Sequence, residues 1–386
     1  MKRMKTVYCG QLLALGMALA IEPVLNAAEI YVSADGSDSN PGTAERPFAT
    51  IGKGAASAQA GDTVWIKPGT YQPAEMIRPA KSGTPDAPIA YRAQAGGEVI
   101  IDGQGKVPSR SAEGVIAMAK KSWIVLDGLR VINSRWCGVF ASASTNITVQ
   151  NCSAKNTYAS GIYIRTSTGV KVLGNSVQRA CQHPAGKPLK DTQECISLVG
   201  CSGFEIAYNE VFDRMEDTNN GGEGIDTKEA CRSGKVHHNH VHDLVRLGIY
   251  CDAYASQLEN VEIFANTVHD CRAGIAVACE QGGIARGIKI HDNLVRDCAR
   301  VGLRLAGYVQ GGPIQDVAND FRLASGSPAI AAALGEPLST SDHDDRVRPI
   351  AGHGDSKALA DLGAFERQAS AQSGGSLSVR AAPEKQ

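Results

Sequence analysis

At roughly 150 residues per domain, a chain of 386 residues allows two or three domains and a sizeable core. Its 42 Gly against 20 aromatic residues favour many short strands and turns over long helices, and 43% hydrophobic with 20% charged residues marks a globular chain. The net charge of -1 excludes a global basic field of the kind that holds nucleic acid or an anionic membrane, so charge chemistry has to be local.

Lys2, Arg3 and Lys5 precede an apolar run from Val7 to Ile21, and Leu25-Asn-Ala-Ala28 offers a small-residue cleavage site. The pattern is that of a secretory signal peptide over residues 1–27, so a secreted or periplasmic protein without a membrane span is expected. Its removal leaves 36 basic and 39 acidic residues and ten of the eleven Cys, in a compartment that permits disulfides. The next segment, 28–110, reads as an N-terminal cap and the first rungs of a solenoid. It has a strand, a turn at Gly36-Ser-Asp-Ser-Asn-Pro-Gly42, a helix from Pro47 to Ala58 and a strand Thr63–Ile66. A helix there would cover the open end of a strand stack.

From about Ile124 the chain repeats. Asn151, Asn175, Asn209, Asn239, Asn266 and Asn293 are spaced by 24, 34, 30, 27 and 27 residues, and a second series of strand starts runs in phase with them. That series is Gly138, Gly161, Cys195, Gly224, Gly248, Gly274 and Gly302, each followed by alternating apolar residues. A rung of this size cannot bury its apolar face alone and must stack on its neighbours at about 4.8 Å. The expectation is an all-β, single-domain right-handed parallel β-helix of about ten rungs, pectate-lyase-like in architecture. Residues 111–310 carry the repeats, 311–368 a closing segment around Phe321 to Phe365, and 369–386 a disordered tail. A monomer is expected.

The phasing also groups side chains. Cys201 and Cys231 lie eight residues before a repeat Asn, and Cys271 and Cys298 five after one, so each pair stacks one rung apart at a separation a disulfide accepts. Cys181 and Cys195 flank the insertion of the longest rung, where a bridge would staple a loop. Disulfides or buried thiols are preferred to a metal site for these residues. The Asn series reads as an amide stack inside turns. Asp213, Asp243, Asp270 and Asp297 form one column, and Arg246, Arg272 and Arg300 another that neutralises it. The run His237-His-Asn-His-Val-His242 reads as a turn ladder, with His242 in register with His269, ahead of a ligand set.

With the strand Gly as position zero, +1 and +3 point inward and +2 and +4 outward. Position +2 holds Phe140, Tyr163, Ser197, Asp226, Tyr250, Ala276 and Arg304, and position +4 holds Ser142, Arg165, Val199, Lys228, Asp252 and Ala278. Glu194 and Glu223 stand at -1 and Glu280 at +6. Charge therefore concentrates on a few rungs of one face, with Lys228 and Asp252 as vertical neighbours. Such a face suits an extended acidic polysaccharide, held by Arg165, Tyr163, Tyr250, Glu280 and Arg304. A lysine or tyrosine can remove the proton alpha to a uronate carboxylate while a cation neutralises the enolate. Glu223, Asp226 and Asp252 could supply oxygen ligands to Ca2+. Asp252 beside Lys228 favours the ammonium form, which makes Lys228 the neutraliser and Tyr250 a proton carrier if no cation binds.

Glu223-Gly-Ile-Asp-Thr-Lys228 resembles the Asp-Gly-Phe-Ala-Pro-Lys stretch of polysaccharide lyase family 9, the β-helix pectate lyases. The resemblance implies that Glu223 stands for a calcium-ligand carboxylate and Lys228 for the catalytic base. The next rung, Leu247-Gly-Ile-Tyr-Cys-Asp252, lacks that family's paired aspartates. Gly224-Ile-Asp-Thr-Lys-Glu229 with Asp252 one rung on is also similar to the Gly-Phe-Asp-Pro-His-Glu motif of mannuronan C5-epimerases. Asp226, Glu229 and Asp252 match there, whereas Lys228 and Glu223 replace the catalytic His and Tyr. Both families begin with the same proton abstraction. The expected activity is β-elimination on a uronate polysaccharide with Lys228, Asp226 and Asp252 catalytic. The alternatives are an epimerase, a glycoside hydrolase using two of Asp226, Asp252 and Glu280, and a noncatalytic glycan-binding β-helix.

Overall fold

Columns of β-branched and leucine side chains run from coil to coil through the interior of the computed structural model. One follows Leu126, Val149, Val172, Ile206, Val236, Ile263 and Ile290 in strict strand register. Another follows Ile162, Ile196, Ile225, Ile249, Ile275 and Leu303. Stiff branched side chains suit a pleated surface, and stacking like on like buries each against the next. The structure describes residues 27–306 except 110–112, 183–193 and 215–220, together with 311–315 and 318–320. The leader, the tail and nearly all of the closing segment lie outside the described residues.

All strand pairings between consecutive coils are parallel, in one sheet of thirteen strands and one of fifteen. The larger sheet bends into two legs because the strands His240–Asp252 and Thr267–Ala278 run continuously around the corner, with a register shift between Leu244 and Leu247. The leg that carries the charged face is eight strands deep, from Gly114–Ala119 to Val301–Arg304. Among the described residues this leg thus counts eight coils, while the path through the other sheet is eleven strands long, against the ten or so rungs that the sequence spacing suggested. One α-helix, Ile51–Ser57, lies within the expected span, with Thr50 Oγ1 accepting from the Lys53 N–H at 3.1 Å as its N-cap. A Cβ on Gly54 would come within 2.9 Å of Val32 Cγ2, so the helix sits directly on the first coil and covers its end. No helix among the described residues is long and apolar enough to cross a membrane.

Several of the strand glycines mark a close approach between two legs of a coil. A Cβ on Gly248 would lie 2.4 Å from Val268 Cγ1, and one on Gly274 would lie 2.2 Å from Val295 Cγ1. The requirement there is close approach of two legs, not a special φ. The amide ladder is real but begins one residue later than the sequence spacing placed it. Asn175, Asn209, Asn239, Asn266 and Asn293 each accept or donate to the next through Nδ2 and Oδ1 at 2.9 Å. Cys152 occupies the preceding rung of that ladder, its N–H donating to Asn175 Oδ1. Asn151 instead adopts φ 53° and donates to Asp127.

Two further expectations are narrowed. The paired cysteines stand as thiols, the second of the two alternatives expected for them. Cys231 Sγ donates to the Leu198 carbonyl at 3.3 Å and accepts the Cys201 N–H at 3.3 Å, so hydrogen bonds to the backbone of neighbouring coils satisfy it. Cys271 and Cys298 likewise donate to the carbonyls of His269 and Arg296. The Cys181 and Cys195 side chains meet by a thiol hydrogen bond. Among the described residues most of the Asp and Arg columns line one cavity, but the two columns form no ion pair with each other, and Arg246 bonds Glu223 instead. Asp213, Asp243, Asp270 and Asp297 all have φ between 50° and 61°, a turn conformation that short polar side chains tolerate, and Asp243 and Asp270 accept from His242 and His269.

Candidate active site

Both outward columns stack in the register that the glycine count gives. Phe140, Tyr163, Ser197, Asp226, Tyr250, Ala276 and Arg304 follow one another coil by coil, as do Ser142, Arg165, Val199, Lys228, Asp252 and Ala278. Much of this outward face is nevertheless covered. Tyr163 is buried against Phe140 and Val199, with its ring centroid 5.6 Å from that of Phe140, and Tyr250 is buried among Leu247, Ala273 and Ala276. Among the five glycan-binding candidates, Arg165 is exposed, and Arg304 and Glu280 are half-buried.

The charged residues form a connected centre. Lys228 Nζ lies 2.8 Å from Glu194 Oε1 and 3.6 Å from Asp226 Oδ2, while Ser197 Oγ donates to Glu194 Oε2 at 3.0 Å. Arg246 Nε donates to Glu223 Oε1 at 3.1 Å. Tyr250 OH donates to Glu280 Oε1 at 2.6 Å, and Asp252 Oδ1 accepts the Tyr254 N–H at 2.7 Å. Lys228 is therefore a register neighbour of Asp252 but pairs with the preceding coil. Its side chain is 20% exposed against 0% for Asp226 and 6% for Glu194, so Lys228 presents the centre to solvent.

Burial dominates the electrostatics. Asp226 has both carboxyl oxygens buried without a hydrogen-bond donor, since the Lys228 ammonium at 3.6 Å is too distant to be one. Desolvation, reinforced by the carboxylates of Glu194, Asp252 and Glu223 and opposed by Lys228, raises its carboxyl well above the usual range. Burial lifts Asp252 to about 6, with the Tyr254 N–H opposing and Glu280 adding to the shift. For Lys228, burial favours the neutral amine, but Glu194, Asp226 and Glu223 together overcome it and hold the ammonium well above the ordinary lysine value. Burial and the neighbouring Asp252 raise the Tyr250 phenol.

Asp226 presents two buried oxygens with no donor, but Glu223, Asp226 and Asp252 do not fit a cation site: among the described residues their ligand atoms do not gather as a metal group, Arg246 bonds Glu223, and the Lys228 ammonium already stands 3.6 Å from Asp226. Glu223 lies three residues before Asp226, and Asp252 is in register with Lys228, two residues beyond the Tyr250 that pairs with Asp226. Glu194 and Arg246 are members that sequence reasoning left out of the site. The signal for Glu194 was its position at -1, equivalent to Glu223, and the two are adjacent across the coil boundary, where the Cys195 N–H donates to the Glu223 carbonyl.

Residues 30–183 match the family model described as the Pel9A-like, right-handed β-helix region, and residues 113–295 match a model described as the right-handed β-helix region. The chain carries a right-handed β-helix, of which residues 30–183 are similar to the Pel9A-like region. It is 32% identical over 164 residues to pectate lyase PEL9 of Emericella nidulans, covering 40% of each chain. To protein YwoF of Bacillus subtilis it is 29% identical over 324 residues, 72% of this chain and 64% of that one. It thus spans less than two thirds of either curated relative. Among solved structures, pectate lyase Pel9A superposes with a TM-score of 0.51 at 15% identity, covering 89% of this chain and 97% of the other. A rhamnogalacturonan lyase gives 0.50 at 17% identity, covering 83% and 95%. These structural likenesses concern the fold. The Pel9A-like region ends at residue 183, before Glu194, so the charged centre falls only under the general β-helix model.

Proposed function

We propose that the protein is a polysaccharide lyase that cleaves a uronate-containing glycan by β-elimination. The observation that carries this reading is the Lys228 ammonium, 20% exposed at the mouth of a buried carboxylate centre, on the +4 position of an outward β-helix column. A uronate carboxylate would meet Lys228 first. The reaction moves the proton alpha to that carboxylate to a base, forms the C4=C5 double bond, and breaks the C4–O bond to the next sugar, whose oxygen takes up a proton. The charge held on Lys228 suits neutralisation of the enolate. Asp252, its neighbour in register, has a proton affinity near 6, which suits a base at neutral pH. The similarity to pectate lyase PEL9 supports the lyase reading over a hydrolase.

Because Glu223, Asp226 and Asp252 do not gather as a ligand set, the positive charge beside the enolate is assigned to Lys228, and the effect of Ca2+ is left to the assay. An epimerase shares the first step, and the match of Asp226, Glu229 and Asp252 to that motif keeps it as the second reading. The test incubates the protein with pectate, alginate and glucuronan, with and without Ca2+, and follows ultraviolet absorbance of the unsaturated uronate. New absorbance on one of these polymers is the expected result. New reducing ends without absorbance would indicate hydrolysis, and altered uronate stereochemistry without cleavage would indicate epimerisation.

A further inference from the structure

The other leg of the long strand His240–Asp252 carries a second cluster, unrelated to the charged centre. His240 and His242 project from this strand beside His269 of the next coil, in the register His242 to His269. One ring nitrogen from each of the three lies within 4.8 Å of the other two. Their rings stack, with centroids 4.2 Å apart for His240 and His242 and 5.0 Å for His242 and His269. The opposite ring atoms are already committed: His242 Nδ1 bonds Asp243 Oδ2 at 2.7 Å and His269 Nδ1 bonds Asp270 Oδ2 at 2.6 Å. Carboxylates at Nδ1 fix the tautomer that leaves an Nε2 lone pair, the arrangement found behind metal-ligating histidines. His242 Nε2 is buried with no hydrogen bond, and Glu210 Oε1 of the preceding coil lies 3.5 Å from it. His240 Nε2 is 2.9 Å from His269 Nε2, so one of those two facing nitrogens has to carry a proton when no metal is bound.

We propose that His240, His242 and His269, with Glu210 as a fourth ligand, form a Zn2+ site that clips three successive coils together. Two residues on one strand and one on each neighbouring coil give the three-histidine, one-carboxylate donor set that suits tetrahedral zinc. With Zn–N bonds of about 2.0–2.1 Å, ligand nitrogens stand about 3.3 Å apart. Closing the site therefore spreads the His240 and His269 pair by a few tenths of an ångström and tilts the stacked rings of His242 and His269 toward each other. Glu210, Asp243 and Asp270 offset the bound charge. The cation next in register to His269, Arg296, is engaged by Asp297. The turn-ladder role expected for the histidine run describes the register but leaves the paired carboxylates and the buried lone pair without a purpose. The test strips the full chain with a chelator and titrates Zn2+ in competition with a chromophoric chelator. One equivalent bound is expected, weakened at least 100-fold in His242→Ala and in His269→Ala, about 10–100-fold in Asp270→Asn, and unchanged in His238→Ala. Zn2+ should raise the melting midpoint of the wild type but not of His269→Ala, whose metal-free melt should match the wild type. An equal affinity in Asp270→Asn and His269→Ala, or no zinc bound by the wild type, would overturn the site.

Discussion

Lys228 Nζ lies 2.8 Å from Glu194 Oε1, one coil back, although Asp252 is its partner in strand register. Side chains that share a column therefore need not pair, and the difference fixes which proton state lysine holds. With Glu194 and Asp226 both within reach, the ammonium is the resting form. Under the proposed mechanism it acts by charge, which an arginine can supply and an alanine cannot. Lys228→Ala is expected to lower turnover by about 10²–10³-fold, while Lys228→Arg keeps a measurable fraction. Initial rates of unsaturated uronate formation check this. Full activity in Lys228→Ala would remove Lys228 from the mechanism, and complete loss in Lys228→Arg would make it the base.

The pH profile separates the same two roles. If Asp252 accepts the proton, kcat/KM rises as the pH passes about 6, where that carboxyl ionises. If Lys228 were the base, the rise would come above the ordinary lysine value, since its neighbours hold it protonated. Asp252→Asn keeps an oxygen to accept the Tyr254 N–H, so its loop should survive while the acidic limb of the profile disappears. A rate that is unchanged in Asp252→Asn would contradict the assignment.

Asp226 makes a prediction about stability. Its folded carboxyl is raised above the unfolded value near 3.9, so the folded state binds the proton more tightly. Its contribution is then neutral below about pH 4 and becomes increasingly unfavourable as pH rises toward the folded value. Asp226→Asn removes the ionisable group and should raise the melting midpoint by a few degrees at pH 8 but hardly at pH 4. If Ca2+ binds the wild type, it should narrow the gap at pH 8, because a cation offsets the same cost. A variant that is less stable at pH 8 would mean that Asp226 is ionised and well compensated.

The sequence was most informative where one physical requirement recurs. Inward Ile and Val columns, the glycines under close legs and the two outward columns all follow from period two within a strand and one coil between strands, so Asp226, Lys228, Tyr250 and Asp252 could be placed before any coordinates. Less was legible where side chains choose among neighbours. Nothing in the spacing says that Lys228 leans back to Glu194, that Arg246 bonds Glu223 instead of an Asp column, or that Tyr163 is covered by Phe140. Cys201 and Cys231 do stand side by side, but their thiols hydrogen-bond to each other and to nearby carbonyl groups, a choice that spacing alone does not reveal.

Gly248 offers a direct measure of the corner packing. A Cβ there would lie 2.4 Å from Val268 Cγ1 and 2.8 Å from the Gly274 carbonyl oxygen. A backbone oxygen cannot swing aside, so Gly248→Ala is expected to cost about 1–3 kcal/mol by overpacking. Val268→Ala in the same chain relieves the side-chain contact alone and should recover only part of that loss. Denaturant midpoints of the two single variants and the double variant check the coupling. A neutral Gly248→Ala would mean that the legs separate more easily than this packing implies.

The amide ladder separates two kinds of asparagine that look alike in the sequence. Asn209 is buried, donates from Nδ2 to the Val172 carbonyl, and receives both the N–H and the Nδ2 of Asn175 on Oδ1. Replacing it by Ala leaves those buried groups of the neighbouring coil without a partner, at about 1–3 kcal/mol for each that water cannot reach. Asn151 has φ 53° at the surface, donates its backbone N–H to the Leu173 carbonyl, which a glycine would keep, and bonds Asp127 through Nδ2. Glycine adopts that backbone without strain, so Asn151→Gly should change stability by a few tenths of a kcal/mol. Asn209→Gly, at a position without positive φ, should be as damaging as Asn209→Ala. Equal losses at positions 151 and 209 would show that the repeat places both in the ladder, contrary to the bonding of Cys152 to Asn175.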